Sequence, residues 1–175
     1  EHDACGVGVI VSTEGKKSRE IVEHGIEALK AVWHRGAVDA DGKTGDGAGI
    51  HVEIPKDFFI EKIEVTGHDY DNSEICVGMI FLPRNDYSSQ ESCKTIVESE
   101  LTKNNFSIYG WRQVPVNPKI LGEKAFRTMP EIIQVLFKSN DKDLLDKNLE
   151  RKIYETRKRI ENKAFEASLN NFYIC

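Results

Sequence analysis

Cys5-Gly-Val-Gly-Val-Ile-Val-Ser12 is the most informative stretch near the start of this sequence. It is short, apolar and rich in β-branched residues, and Gly15 follows it, so the pattern predicts a buried β-strand. A cysteine opens the predicted strand, and Gly6 and Gly8 leave open space beside its sulfur. The strand therefore presents a possible nucleophile in uncrowded surroundings.

A helix is predicted directly after this strand. Ser18 is a suitable N-cap, and the apolar side chains Val22, Ile26, Leu29 and Trp33 recur at helical spacing over about four turns. The helix is expected to end near His34-Arg35-Gly36, with Gly36 as a left-handed C-cap. Residues 36–49 then contain five glycines and three aspartates, which predicts a loop that approaches another group closely.

The remaining pattern alternates strands and helices. Strands are predicted at Ile50–Ile54, Ile75–Leu82, Phe106–Val114, Ile132–Phe137 and Asn171–Cys175, and helices after Pro55, after a capping box of Ser88 and Glu91, and from Asp143 to about Ala167. This order indicates a layered α/β or α+β domain, and periodicity alone does not choose between them. Because the last strand is cut short, we expect these residues to be part of a longer chain.

Composition excludes several classes of function. The 175 residues carry 24 Lys and Arg against 29 Asp and Glu, and a formal charge of −5 without a basic block disfavours nucleic-acid binding. No apolar run reaches the length needed to span a membrane, and the first residues have no basic region typical of a secretory signal. The four cysteines are scattered, so we expect free thiols, no metal site and a cytoplasmic location.

Cys5 supports two interpretations. It is either a small buried residue at a strand edge or an N-terminal nucleophile exposed by removal of the residues before it. In the second case its own α-amino group, with a pKa of about 8, could take the thiol proton and return it to an amine leaving group.

The neighbouring polar residues give weaker signals. Arg35 either caps the preceding helix or orients a carboxylate or carbonyl. The glycine-rich loop lacks the Lys-Ser/Thr of a phosphate-binding loop and precedes a strand, so nucleotide binding is rejected. Asp39, Asp41 and Asp46 do not have the spacing of a calcium loop.

Several segments together resemble a known family. Cys5-Gly-Val-Gly-Val-Ile, His34-Arg-Gly-Ala37, Thr44-Gly-Asp-Gly-Ala-Gly-Ile50 and Ile54-Pro-Lys-Asp-Phe-Phe59 resemble the start of the glutaminase domain of glutamate synthases. Tyr109-Gly-Trp-Arg-Gln-Val-Pro115, Leu121-Gly122, Pro130-Glu-Ile-Ile-Gln-Val135 and Phe172-Tyr-Ile-Cys175 follow in the same order. These domains are class II glutamine amidotransferases of the N-terminal-nucleophile (Ntn) hydrolase fold.

The resemblance implies a four-layer αββα fold of the α+β class, incomplete in this chain. It implies that Cys5 attacks the side-chain amide of glutamine, and that Gly6, Arg35 and Gly36 support the site or bind substrate. It also implies that the released ammonia aminates 2-oxoglutarate at a second site in the same polypeptide. FMN and an iron–sulfur cluster are expected there, with a reductase subunit or ferredoxin as electron source and no cofactor in this segment.

Two features depart from the family pattern. Residues 1–4 precede the cysteine, so we expect them to be the remnant of a propeptide, with 5–175 forming the N-terminal part of the amidotransferase domain. No match to the family's Asn-Gly oxyanion pair lies within 1–175, so we expect the fragment alone to be inactive. The alternatives are another class II amidotransferase and a non-catalytic module of the same fold.

Overall fold

The computed structural model describes residues 6–33, 36–144 and 146–175, with only the backbone of Asp146. These residues fall into two compact units. The first consists of the chain up to Glu53 together with Asn117–Thr128, and the second of Ile54–Val116 together with Met129–Cys175.

The second unit is built on a four-stranded antiparallel sheet. Its strands are β1 (Cys76–Leu82), β2 (Phe106–Gln113), β3 (Glu131–Ser139) and β4 (Tyr173–Ile174), in the spatial order β2-β3-β1-β4. The apolar runs that correspond to these four strands were predicted as strands, and this prediction is confirmed. The observed ends lie within two residues of the predicted ends. Antiparallel strands with separate helices place the protein in the α+β class, the choice that periodicity left open.

Helices cover both faces of this sheet. On one face pack α3 (Tyr87–Lys103) and α5 (Asp146–Glu166), and on the other α2 (Lys56–Val65). The core on the first face includes Ile80, Val97, Phe106, Val135 and Ile160, and that on the second includes Phe59, Ile63, Tyr109 and Leu136. Strand β1 is apolar on both faces because both faces are covered.

A β-bulge in β2 places Tyr109 on the face of the sheet that packs on α2. The register with β3 shifts between Ile108 and Gly110, and Gly110 has φ +153°. A Cβ at Gly110 would lie 2.7 Å from Cγ2 of Thr66, so the backbone conformation and the close approach both require glycine there.

The helix termini confirm one predicted cap and correct another. Helix α1 (Arg19–Ala31) begins after Ser18, whose hydroxyl accepts the Ile21 N–H, as predicted. Helix α3 begins earlier than the predicted capping box of Ser88 and Glu91. Asp86 is its N-cap, because this carboxylate accepts both the N–H and the hydroxyl of Ser89.

The first unit contains less regular structure than predicted. It holds α1, a 3-10 helix (Pro118–Ile120) and α4 (Glu123–Thr128), and the last two were not predicted. The predicted strands at 5–12 and 50–54 are wrong for their described residues, which have no strand assignment. Val7 is 94% exposed and Val9 83%, because a strand needs a hydrogen-bonded neighbour and the described residues supply none here.

In the part of the chain that the structure describes, none of the helices is long and apolar enough to cross a lipid bilayer. The longest, α5, has charged residues along most of its length.

Candidate functional site

Two of the four predicted site residues, Cys5 and Arg35, lie outside the described residues. Gly6 and Gly36 are described, and both are exposed. A Cβ at Gly6 would meet no atom within 4 Å, so the space around Gly6 itself is open.

Gly36 does not act as the predicted left-handed C-cap. Helix α1 already ends at Ala31, and Val32 is its C-cap. The Gly36 N–H instead donates to the carbonyl of Trp33 over 3.1 Å. The helix ends early because the Val32 N–H bonds the Lys30 carbonyl rather than continuing the helical pattern.

The glycine-rich loop begins with a small hairpin, residues 37–46, which we call the glycine hairpin. At its base the Ala37 N–H donates to Oδ2 of Asp46 over 2.9 Å, and the Asp46 N–H donates to the Ala37 carbonyl over 3.2 Å. A β-bridge joins Val38 to Gly45. At the tip Gly42 has φ +67°, a conformation that favours glycine and closes the turn. Backbone pairing therefore gives this loop a defined shape.

Asp41 organises the tip of the glycine hairpin. Its Oδ1 accepts the backbone N–H groups of Lys43 (2.9 Å) and Thr44 (2.7 Å), and its Oδ2 accepts the Thr44 hydroxyl (2.6 Å). These hydrogen bonds, the hydroxyl of Thr44 first, lower the pKa of the Asp41 carboxyl to about 2. The carboxylate is a structural acceptor that stays ionised at neutral pH.

The glycine hairpin contacts a segment far away in the sequence, Asn117–Thr128, which we call the brace segment. Lys124 Nζ forms an ion pair with Asp39 Oδ2 at 2.5 Å, and this ion pair lowers the pKa of Asp39. Gly122 lies against Asp41 and Thr44, with no space for a side chain. Sequence analysis did not assign a site role to Gly122 or Lys124, although Leu121-Gly122 was among the segments that resemble the family.

Two of the three described thiols are poor candidates for chemistry. Cys76 and Cys93 are buried, and burial raises the pKa of the Cys76 thiol to about 12 and that of Cys93 to about 11. Thiols with such high pKa values are unsuited to act as nucleophiles at neutral pH. Within the described residues there is no group of three or more His, Cys, Asp or Glu placed to hold a metal ion.

Comparison with known proteins gives the family and several relatives. The family model for glutamine amidotransferases class-II matches residues 5–175, beginning at the cysteine singled out above. The chain is 54% identical over 175 residues to the glutamate synthase [NADPH] large chain of Azospirillum brasilense, covering 100% of this chain and 12% of that protein. It is 40% identical over 177 residues to ferredoxin-dependent glutamate synthase 1, chloroplastic/mitochondrial, of Arabidopsis thaliana, again over 100% of this chain and 11% of the relative.

A ferredoxin-dependent glutamate synthase 2 of Synechocystis is 35% identical over 176 residues, covering 100% of this chain and 11% of that protein. The chain thus spans only about an eighth or less of the length of these relatives. Since the family model matches nearly every residue, the chain belongs to the class II glutamine amidotransferases.

Proposed function

We propose that this chain is the glutaminase part of a glutamate synthase, hydrolysing glutamine to glutamate and ammonia. The observation that carries the proposal is the class II match that begins at Cys5, together with 54% identity over the whole chain to a glutamate synthase large chain. The same relatives disfavour the alternative of another class II amidotransferase. A non-catalytic module is the remaining alternative, and the experiment below tests it.

Cys5 is the proposed nucleophile. Its sulfur attacks the side-chain amide carbon of glutamine while a base takes the thiol proton, and the resulting tetrahedral intermediate collapses by breaking the C–N bond. The base returns the proton to the nitrogen, so ammonia leaves and a γ-glutamyl thioester remains on Cys5. Water then adds to the thioester carbon, glutamate departs and the thiol is regenerated.

We further propose that residues 1–4 are the remnant of a propeptide. While they are attached, the nitrogen of Cys5 is an amide and has no useful basicity. Their removal creates an α-amine with a pKa of about 8, which can act as the base next to the sulfur. In this proposal residues 5–175 are the N-terminal part of the amidotransferase domain.

Gly6, Arg35 and Gly36 are proposed to support this reaction. The open space at Gly6 allows substrate to approach the sulfur. The Arg35 guanidinium is suited to orient a carboxylate or carbonyl of glutamine. Gly36 joins Arg35 in sequence to the glycine hairpin, whose backbone pairing gives it a defined shape.

The released ammonia is proposed to aminate 2-oxoglutarate in the rest of the polypeptide, with reduction to a second glutamate. FMN and an iron–sulfur cluster would supply the electrons there, and the donor is NADPH, NADH or ferredoxin, the first and last in keeping with the names of the relatives. We propose that both groups are bound outside this segment, in the rest of the polypeptide. We propose a cytoplasmic location for the enzyme.

The intact mass of the full-length polypeptide tests the proposal. The protein is treated with a diazoketone analogue of glutamine and compared with the untreated sample. We expect a chain that begins at Cys5 and gains one adduct on that residue, with no adduct in Cys5→Ala. Cys175→Ser is the matched control and should still gain the adduct, because Cys175 is exposed but has no proposed role.

A processed chain that begins at Cys5 and gains no adduct would contradict the proposal and favour the non-catalytic module. A chain that retains Ala4 and gains no adduct would overturn the catalytic assignment for that form of the protein.

A further inference from the structure

The glycine hairpin and the brace segment are joined at two points although they are about eighty residues apart in the sequence. Lys124 pairs with Asp39 over a separation of 85 residues, and the Ala125 N–H donates to the Thr44 hydroxyl oxygen over 3.4 Å across 81 residues. The ion pair is exposed at Lys124, and such pairs contribute little by themselves. The specificity of the connection must therefore come from the fit at Thr44 and Gly122.

Gly122 is the position where the two segments are closest. A Cβ there would collide with Thr44 Oγ1 and Asp41 Oδ2 and would lie 2.7 Å from the Thr44 backbone nitrogen. The Gly122 carbonyl also accepts the Phe126 N–H over 2.9 Å, so this residue, immediately before α4, is tied to the first turn of the helix. Any side chain at this position would push the hairpin tip away from α4.

The Thr44 hydroxyl uses both of its hydrogen-bonding capacities in this contact. It donates to Asp41 Oδ2 within the hairpin tip and accepts from Ala125 in α4. Thr44 is half-buried, whereas the surrounding hairpin residues 41–43 are exposed. One hydroxyl therefore links the internal order of the tip to the brace segment.

The base of the glycine hairpin connects its ordered tip to the residues that precede it in the sequence. The reciprocal hydrogen bonds of Asp46 with Ala37 fix the backbone two residues after Arg35. A hairpin with a fixed tip and a closed base leaves little freedom at Gly36, the residue that enters it.

We propose that Thr44 and Gly122 are positioning residues of the glutaminase site, which hold the glycine hairpin so that the Arg35–Gly36 segment is set for glutamine. The inference rests on the proposed function, because it assigns these residues a role in that reaction. In this proposal both residues act through the hairpin and not by direct contact with glutamine.

The test uses Thr44→Val, Thr44→Ser and Gly122→Ala in the full-length polypeptide. Thr44→Val keeps the shape of the side chain but removes the hydroxyl, whereas Thr44→Ser keeps the hydroxyl. We expect Thr44→Val and Gly122→Ala to raise the KM for glutamine and to slow labelling of Cys5 by the diazoketone, each about tenfold, with kcat less affected. Thr44→Ser should stay within about twofold of the wild type.

Lys119→Gln is the matched control in the brace segment, since no hydrogen bond or ion pair involves the Lys119 ammonium among the described residues, and it should behave as wild type. Thermal unfolding is measured for every variant. Equal losses in Thr44→Val and Thr44→Ser, wild-type kinetics in Gly122→Ala, or losses that follow a fall in Tm would overturn the positioning role. If the wild type is active and the variants are unaffected, this inference alone is overturned. If the processed wild type neither hydrolyses glutamine nor is labelled at Cys5, the proposed function is overturned as well.

Discussion

The Ala37 N–H donates a 2.9 Å hydrogen bond to the carboxylate of Asp46, and the Asp46 N–H donates back to the Ala37 carbonyl over 3.2 Å. One aspartate thus closes the glycine hairpin with its side chain and its backbone together. The glycine content of this loop indicated only that its backbone can adopt many conformations. The hydrogen bonds of Asp46 show how the number of backbone conformations is limited.

Asp46→Ala should loosen the base of the hairpin without unfolding the protein. The variant loses the side-chain acceptor for the Ala37 N–H, so that amide should exchange with solvent about tenfold faster. Asp46→Asn retains an acceptor oxygen and should exchange more like the wild type. Hydrogen exchange measured by NMR or mass spectrometry checks this, and equal protection in Asp46→Ala and the wild type would contradict it.

The hairpin tip should respond to pH through Asp41. Because the Thr44 hydroxyl and two backbone N–H groups hold the pKa of Asp41 at about 2, the order that they provide is complete above the ordinary aspartate range. This order of the hairpin tip is lost as the pH falls through about 2. An NMR titration of the Asp41 carboxyl should give this low value and a higher one in Thr44→Val. An unchanged pKa in the variant would show that the hydroxyl is not the main cause.

Gly110→Ala should destabilise the second unit by about 2–4 kcal/mol, because strain at positive φ adds to a collision with Thr66. Gly67→Ala is the matched control: its φ is +83°, but its Cβ would meet no atom within 4 Å. Only strain of about 1–2 kcal/mol is expected there. Urea unfolding of the 175-residue chain measures both, and a cost at Gly67 equal to that at Gly110 would contradict the steric argument.

Glu100→Gln should weaken the contact between α3 and α5 by about 1–2 kcal/mol. Glu100 is only 4% exposed and pairs with Lys163 and Lys103. Lys163 lowers the pKa of the Glu100 carboxyl, so its stabilising contribution is present above the ordinary glutamate range and disappears as the pH falls through the lowered pKa.

Urea unfolding at several pH values checks this effect, with Glu91→Gln as the control. Glu91 pairs with Lys94 on the surface of α3, and its loss should cost less than about 0.5 kcal/mol. The wild type and Glu100→Gln should converge in stability at low pH. A constant difference between them at all pH values would contradict the ion-pair explanation.

The elements that could be predicted are those whose own residues specify them. The apolar runs of β1 and β3 are long enough to identify as strands, and the Ser18 cap depends on a residue next to the helix it begins. The capping box at Ser88 failed because Asp86, two residues earlier, accepts the Ser89 N–H and begins the helix, so Ser88 already lies in its first turn. Local competition between neighbouring caps decides the boundary there.

The candidate site was predictable only where a motif lies in one stretch of sequence. The Cys5-Gly start, His34-Arg-Gly and the glycine-rich run are each continuous, and the family match begins at the same cysteine. The contact of Gly122 with Thr44 joins residues 78 positions apart, and neither residue signals the other in the sequence. A contact of that kind depends on how the chain folds back on itself.

By itself, the sequence indicated the family of this protein and singled out Cys5 as the proposed nucleophile, because continuous motifs resemble that family. It also predicted most of the strands and helices of the second unit, because those elements depend on residue type and short-range periodicity. Only the tertiary structure decided that Val7 and Val9 are exposed without a paired strand, that α4 forms, and that the glycine hairpin rests on Gly122. Strand pairing and close backbone contact both require a partner brought from elsewhere in the chain, and propensity carries no information about that partner.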